Sequence, residues 1–218
     1  MTKPTVKTSL VLRVCRANHT SRHNFAWPQA VGEEVVAPDW NGNKSCGNGL
    51  HGWLYGQGDH SCVDYWEDQD AKWYVLEVPS DSIVMLGGKC KFPRATVRFI
   101  GAKSEAAAYI IEHEPQAREV AVIGACLKVD DKGSVSVGGL GTATAGNYGT
   151  ATAGESGTAT AGNYGTATAG YRGEIQIKWY DEKAERYRTV VGYVGEDGIK
   201  PDTTYQLDAR HKLVEVSE

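Results

Sequence analysis

At 218 residues and 41% hydrophobic content, the chain has the material for one large domain or two small ones with a sizeable core. The formal net charge is -4, from 23 basic and 27 acidic residues, which supplies no overall attraction to nucleic acid or an anionic membrane. No apolar run approaches the ~18–20 residues that span a bilayer, no small-residue cleavage site follows the N-terminus, and five cysteines without a close pair fit reduced thiols, so a cytoplasmic protein is expected.

Residues 1–116 read as an α+β recognition domain. SLVLRV (9–14), KWYVLEV (72–78) and KFPRATVRFIG (91–101) are strand candidates, separated by the turn signals DWNGN, GNG and LGGK. A helix fits 105–113, with Ser104 as its cap and Pro115 as its stop.

The next segment, 117–180, carries octads. Residues 141–172 read GTATAGNY, GTATAGES, GTATAGNY and GTATAGYR, and the alternation of NY with ES or YR doubles the period to sixteen. A flexible Gly-rich linker has no reason to keep register, whereas a solenoid must. The flanking octads ACLKVDDK (125–132), GSVSVGGL (133–140) and GEIQIKWY (173–180) place Leu, Val or Ile where the central ones have Ala. Alternation with one face always apolar marks a half-buried strand. The expectation is a short β-solenoid of three to four 16-residue coils, with Ala inside, Thr outside, and Gly supplying backbone conformations that other residues resist. Tyr148 should then stack over Tyr164 at an exposed corner, where the pair is a candidate interface for a homo-oligomer. Residues 181–218 read as a C-terminal β-hairpin cap covering the open edge. The fold class expected is therefore mostly β.

Chemistry concentrates in the first domain. In CGNGLHGW (46–53), glycines flank Asn48, so the backbone can turn tightly and offer N–H groups to an anion. Arg13 can supply a fixed positive charge, His51 opens an apolar segment, and Trp53 or Tyr65 can stack on a ring. A pocket for a nucleotide-like ligand built from Arg13, Asn48, His51, Trp53 and Tyr65 competes with a plain tight turn that buries His51. His19, His23, Cys46, His51, His60 and Cys62 are potential metal ligands, but their spacing is not that of paired zinc ligands, so no metal site is assigned. No GxSxG, HExxH or P-loop pattern is present, and no catalytic residue or cofactor is assigned.

Three resemblances follow from these residues. CGNGLHGW, the octads and the closing VGEDGIKPDTTYQL (194–207) together resemble a group of phage and prophage proteins with a Cys-x-x-Gly-(Leu/Phe)-His domain, solenoid repeats and a C-terminal strand region. The repeats of that group are longer and richer in Ser and Leu. The resemblance implies a non-enzymatic accessory protein of the bacterial cytosol, antagonising a host defence by sequestering a nucleotide-like signal or blocking a defence protein. Arg13, GNGLH (47–51) and Tyr65 resemble the nicotinamide-nucleotide site of ADP-ribosyltransferase folds, although Glu77 lacks the preceding Glu-x-Glu or Gln-x-Glu turn. The Thr-x-Thr octads resemble ice-nucleation repeats and antifreeze faces, which implies an ice-binding alternative.

Overall fold

A computed structural model describes residues 7–216. The chain divides into two compact units after Val122.

The first unit is a seven-stranded antiparallel sheet with one helix. Its strands are β1 (Thr8–Cys15), β2 (Glu34–Val36), β3 (Leu50–Leu54), β4 (Lys72–Pro79), β5 (Val84–Met85), β6 (Cys90–Phe92) and β7 (Arg94–Gly101), in the order β2-β7-β4-β1-β3-β6-β5. Central β1 is covered on both faces, which is why it reads as a nearly unbroken apolar run; Val11 to Cys15 are all buried. Val11, Trp27, Leu50, Tyr74, Leu76 and Phe92 belong to one core cluster. The segment KFPRATVRFIG, expected as one strand, is two: Pro93 has no N–H for the ladder, and β6 pairs with β3 while β7 pairs with β4. Helix α1 (Lys103–His113) buries Ala106, Ala107 and Ile110. Its N-cap is Ala102 rather than Ser104, because the Glu105 carboxylate accepts from the Ala102 N–H at 2.9 Å and fixes the start two residues earlier. No helix among the described residues is long and apolar enough to cross a membrane.

The second unit is the solenoid. Strands β8 (Cys126–Val129), β9 (Ser134–Val137), β10 (Thr142–Ala145), β11 (Thr150–Ala153), β12 (Thr158–Ala161), β13 (Thr166–Ala169) and β14 (Glu174–Asp181) alternate between two sheets. Each strand from β8 to β12 pairs in parallel with the one sixteen residues on, as Thr142 with Thr158 and Ala151 with Ala167. Ala143, Ala151, Ala159 and Ala167 are 0% exposed, so the interior is built of methyl groups and the two sheets lie close. β15 (Arg186–Tyr193) extends one sheet by pairing antiparallel with β14. β16 (Thr203–Leu207) does the same for the other on β13, and β17 (Leu213–Glu215) pairs with β16.

The corners correct one expectation about glycine. Each is a four-residue turn, closed for example by Gly149 N–H to the Gly146 carbonyl at 3.2 Å and Gly165 N–H to Gly162 at 3.0 Å. The left-handed residue is not Gly but the octad's last: Tyr148 (φ 56°), Ser156 (56°), Tyr164 (58°) and Arg172 (57°). That conformation costs a non-Gly residue roughly 1–2 kcal/mol, and the regular coil stacking holds it in place. Glycine is needed for close approach instead. A Cβ on Gly149 would lie 2.8 Å from the Ala145 Cβ, and one on Gly162 would lie 2.6 Å from the Asn147 nitrogen. Neighbouring turns are tied by an amide ladder. Asp131 Oδ1 accepts from Asn147 N–H at 2.7 Å, and Asn147 Oδ1 accepts from Asn163 N–H at 2.9 Å.

Candidate functional site

The first unit holds a cavity of about 470 Å³, a size suited to a small-molecule ligand. Its wall includes β1, β3 and the loop between β2 and β3. Arg13, Asn48, His51, Trp53 and Tyr65 all line it, as do Trp27, Phe25, Arg22, Asp39 and Lys89.

Arg13 is 9% exposed, and its guanidinium lies 3.9 Å over the Trp27 ring. Its Nη1 donates to the His51 carbonyl at 2.5 Å, while Nε has no hydrogen-bond partner. Stacking and one short bond hold the charge in a single orientation. Beside it, burial pushes the Cys15 thiol up against the opposing pull of Arg13. His51 follows on β3. Burial, and then the positive charges of Lys89, Arg13 and Lys91, hold its imidazole down to about 4, so the ring is neutral at physiological pH. Its Nε2 is buried without a partner. Tyr65, 6% exposed, packs under the Arg16 guanidinium at 4.5 Å, and its hydroxyl also lacks a partner.

Trp53 and Asn48 have other work. The Trp53 ring stacks on Trp73 with centroids 6.0 Å apart, and its Nε1 donates to the Asp59 carbonyl at 2.9 Å, so it is a packed wall rather than an open platform. Asn48 sits at φ 51° between Gly47 (φ 101°) and Gly49 (φ 115°). Its Nδ2 donates to the Asp39 carbonyl, and the Gly49 N–H donates to Asp39 Oδ1 at 2.9 Å. The Gly49 amide that sequence reasoning offered to an anion is thus bonded to the chain's own carboxylate.

Lys91 is the organising residue that sequence reasoning missed. It is 0% exposed, and its Nζ donates to Asn43 Oδ1 (3.0 Å), the Ser45 carbonyl (2.8 Å) and the Gly47 carbonyl (3.3 Å). All three ammonium donors are used, which makes burying it tolerable and pins the 43–47 stretch against β6. The sequence signal was faint: Cys90, Lys91 and Phe92 are all buried, so the strand's alternation does not reveal the lysine.

The remaining candidates disperse. No three of His19, His23, Cys46, His51, His60 and Cys62 bring ligand atoms within 4.8 Å of one another. His19 instead bonds the Tyr74 hydroxyl at 2.6 Å. Glu77, the acid considered for transferase chemistry, pairs with Arg98 and accepts from the Thr8 hydroxyl, and it is not part of the cavity wall. In the solenoid, Tyr148 and Tyr164 stack with centroids 5.2 Å apart and are 59% and 72% exposed. One outer face aligns Ser134, Thr150 and Thr166 in one row and Ser136, Thr152, Thr168 and Thr204 in the next. Hydroxyls bond along these rows, Thr150 to Thr166 at 3.1 Å and Thr168 to Thr204 at 2.9 Å.

Residues 9–112 match a family model described as a domain of unknown function, DUF7666. Curated relatives are ice nucleation proteins. One from Xanthomonas campestris pv. translucens is 37% identical over 112 residues, which is 50% of this chain and 7% of that protein. InaU of Pantoea ananas is 34% identical over 106 residues, 48% of this chain and 10% of that protein. The Pseudomonas fluorescens protein is 36% identical over 106 residues, 48% of this chain and 8% of that one. The chain thus spans a tenth or less of the length of these relatives. No solved structure matches it. The chain therefore joins a DUF7666 match to a β-solenoid whose repeats fit its similarity to ice nucleation proteins.

Proposed function

We propose that the chain is a non-enzymatic binding protein whose N-terminal cavity takes a small nucleotide-like ligand, with the solenoid as a rigid extension. The carrying observation is that Arg13, His51 and Tyr65 all line one cavity and that each has a buried polar atom without a partner. Unsatisfied buried polar groups cost about 1–3 kcal/mol each, so their concentration at one place points to a guest that satisfies them. The charge supports an anionic guest: Arg13, Arg22 and Lys89 outnumber Asp39, which is itself bonded to Gly49. Trp27 and Phe25 add aromatic surface. General acid–base work needs a positioned proton carrier, and the wall's one carboxylate, Asp39, is already bonded to the Gly49 N–H. Binding without turnover is the chemistry of sequestration, which fits removal of a nucleotide signal from solution. Calorimetry with mono-, di- and cyclic nucleotides tests the reading. Binding should weaken about tenfold or more in Lys89→Ala, with melting unchanged, and fall with added salt. Absence of binding by the wild type to every nucleotide rules the reading out.

A second reading rests on the hydroxyl face. Its aligned Ser and Thr rows, together with the names of the curated relatives, favour an ice-binding surface. Droplet-freezing and thermal-hysteresis measurements test it. Activity lost in Thr152→Lys supports the reading, and wild-type behaviour equal to that of buffer removes it.

A further inference from the structure

We propose that two copies of this chain join along the open edge of β15, antiparallel about a two-fold axis at Val190, so that one sheet of the solenoid runs on into that of the second copy. β15 ends its sheet and is bonded to β14 alone among the described strands. Folded proteins keep such edges short, kinked, or studded with Pro and Lys, because a bare edge pairs with other chains. β17, which ends the other sheet, is three residues long. β15 has eight, with no proline, no lysine and an unbroken register against β14 from Arg186 to Tyr193.

The direction of its free backbone groups follows from one bond. Val194 N–H donates to the Gly173 carbonyl at 3.0 Å, which turns it toward β14. Alternation then turns Gly192, Val190, Arg188 and Arg186 the same way and points the N–H and C=O groups of Tyr187, Thr189 and Val191 outward. The side chains of these odd-numbered residues share one face, on which Tyr187, Val191 and Tyr193 are exposed. Tyr180 joins them through an edge-to-face contact with Tyr187 at 5.2 Å. The opposite face is backed, since a Cβ on Gly192 would run into Ile199 and Leu213.

A bare edge beside an apolar face accepts many strands; the charges select a second copy. Lys183 and Arg186 lie at the start of β15, and Glu196 and Asp197 lie just beyond its end. All four are exposed and have no ion-pair partner among the described residues. Parallel pairing of two copies sets each charge against its own kind, whereas antiparallel pairing sets the basic start against the acidic turn. A two-fold axis perpendicular to the sheet keeps the exposed faces together and requires one residue to meet itself. With the axis at Thr189, Glu182 faces Glu196 of the second copy; with it at Val191, Glu185 faces Asp197. With it at Val190, Lys183 faces Asp197 and Arg186 lies diagonal to Glu196. The same register sets Tyr187 opposite Tyr193 and Thr189 opposite Val191 on the exposed face.

Sedimentation velocity of the full chain over a concentration series tests the interface. A species of twice 23.6 kDa should form and should dissociate as salt is added. Val191→Lys places a charge at the pairing edge and should weaken the dimer about tenfold or more. Arg186→Glu and Glu196→Arg should each weaken it by setting like charges together. An equimolar mixture of those two variants should restore it, because every acid then meets a base on the other copy, a recovery that misfolding does not give. Tyr148→Ser/Tyr164→Ser should leave the dimer in place. Amide exchange of the wild type over residues 186–194 should slow as concentration rises, which needs no variant. A monomer at every concentration overturns the proposal and leaves the edge to a strand of another protein. A dimer that survives Val191→Lys, fails to recover on mixing, or is lost with Tyr148 and Tyr164 overturns it as well.

Discussion

The two units fill their interiors in opposite ways. In the solenoid, the central octads repeat the same inward alanines, and the strand threonines lie on the other side, where Thr150 bonds its own copy, Thr166, one coil away. In the first unit, large rings and the buried Arg13 line a cavity, and three of its lining residues carry buried polar atoms without partners. Repetition gives an interior with nothing left to satisfy. Irregularity leaves a site with something to recognise, at some expense in stability.

The largest expected effect tests the repetitive side. Ala159 lies between Ala143 and Ile175 in its sheet and is fully buried, so Ala159→Leu should lower stability by about 1–3 kcal/mol, at the upper end because neither sheet can retreat. Chemical denaturation measures it; a change near zero would mean that the alanine core is not close-packed. Lys91→Met tests the irregular side. It leaves Asn43 and the Ser45 and Gly47 carbonyls without their charged donor, with an expected loss of about 1.5–3 kcal/mol. Amide exchange should accelerate in residues 43–49 and stay unchanged in the solenoid strands. A uniform change across both units would contradict the clamp.

How far the sequence exposes each side follows from the same contrast. Octad register made the inward Ala and outward Thr legible, because sixteen-residue spacing maps directly onto coil stacking. The reason for glycine was not legible. Positive φ falls on Tyr148 and Ser156, and only three-dimensional closeness explains Gly149 and Gly162. In the first unit, Arg13, His51 and Tyr65 could be suspected from residue type and turn chemistry. Their unpartnered atoms, the commitment of Gly49 to Asp39, and the burial of Lys91 depend on long-range pairing that one sequence does not display.

Smaller effects sharpen the contrast. The folded His51 titrates near 4, below the ordinary histidine value of 6.5, so the unfolded chain takes up a proton first as pH falls. Its contribution to stability is therefore intact above pH ~6.5 and is lost progressively toward ~4. His51→Gln should flatten the fall of melting temperature across that window, and an unchanged slope would place the titration elsewhere. Asn147→Ala removes the acceptor of the Asn163 N–H and should cost about 0.5–1.5 kcal/mol, read by denaturation. Thr158→Ser keeps the outward hydroxyl and should stay within about 0.5 kcal/mol of wild type. A cost equal to that of Ala159→Leu would overturn the inward and outward assignment.

Amide exchange by mass spectrometry on the full chain, with and without saturating nucleoside monophosphate, tests the division of labour most directly. Slowed exchange confined to segments around Arg13, residues 46–53 and Tyr65, with the solenoid strands unchanged, is the expected result. Exchange unaltered in those segments, or slowed chiefly along the strands between residues 126 and 181, would contradict it.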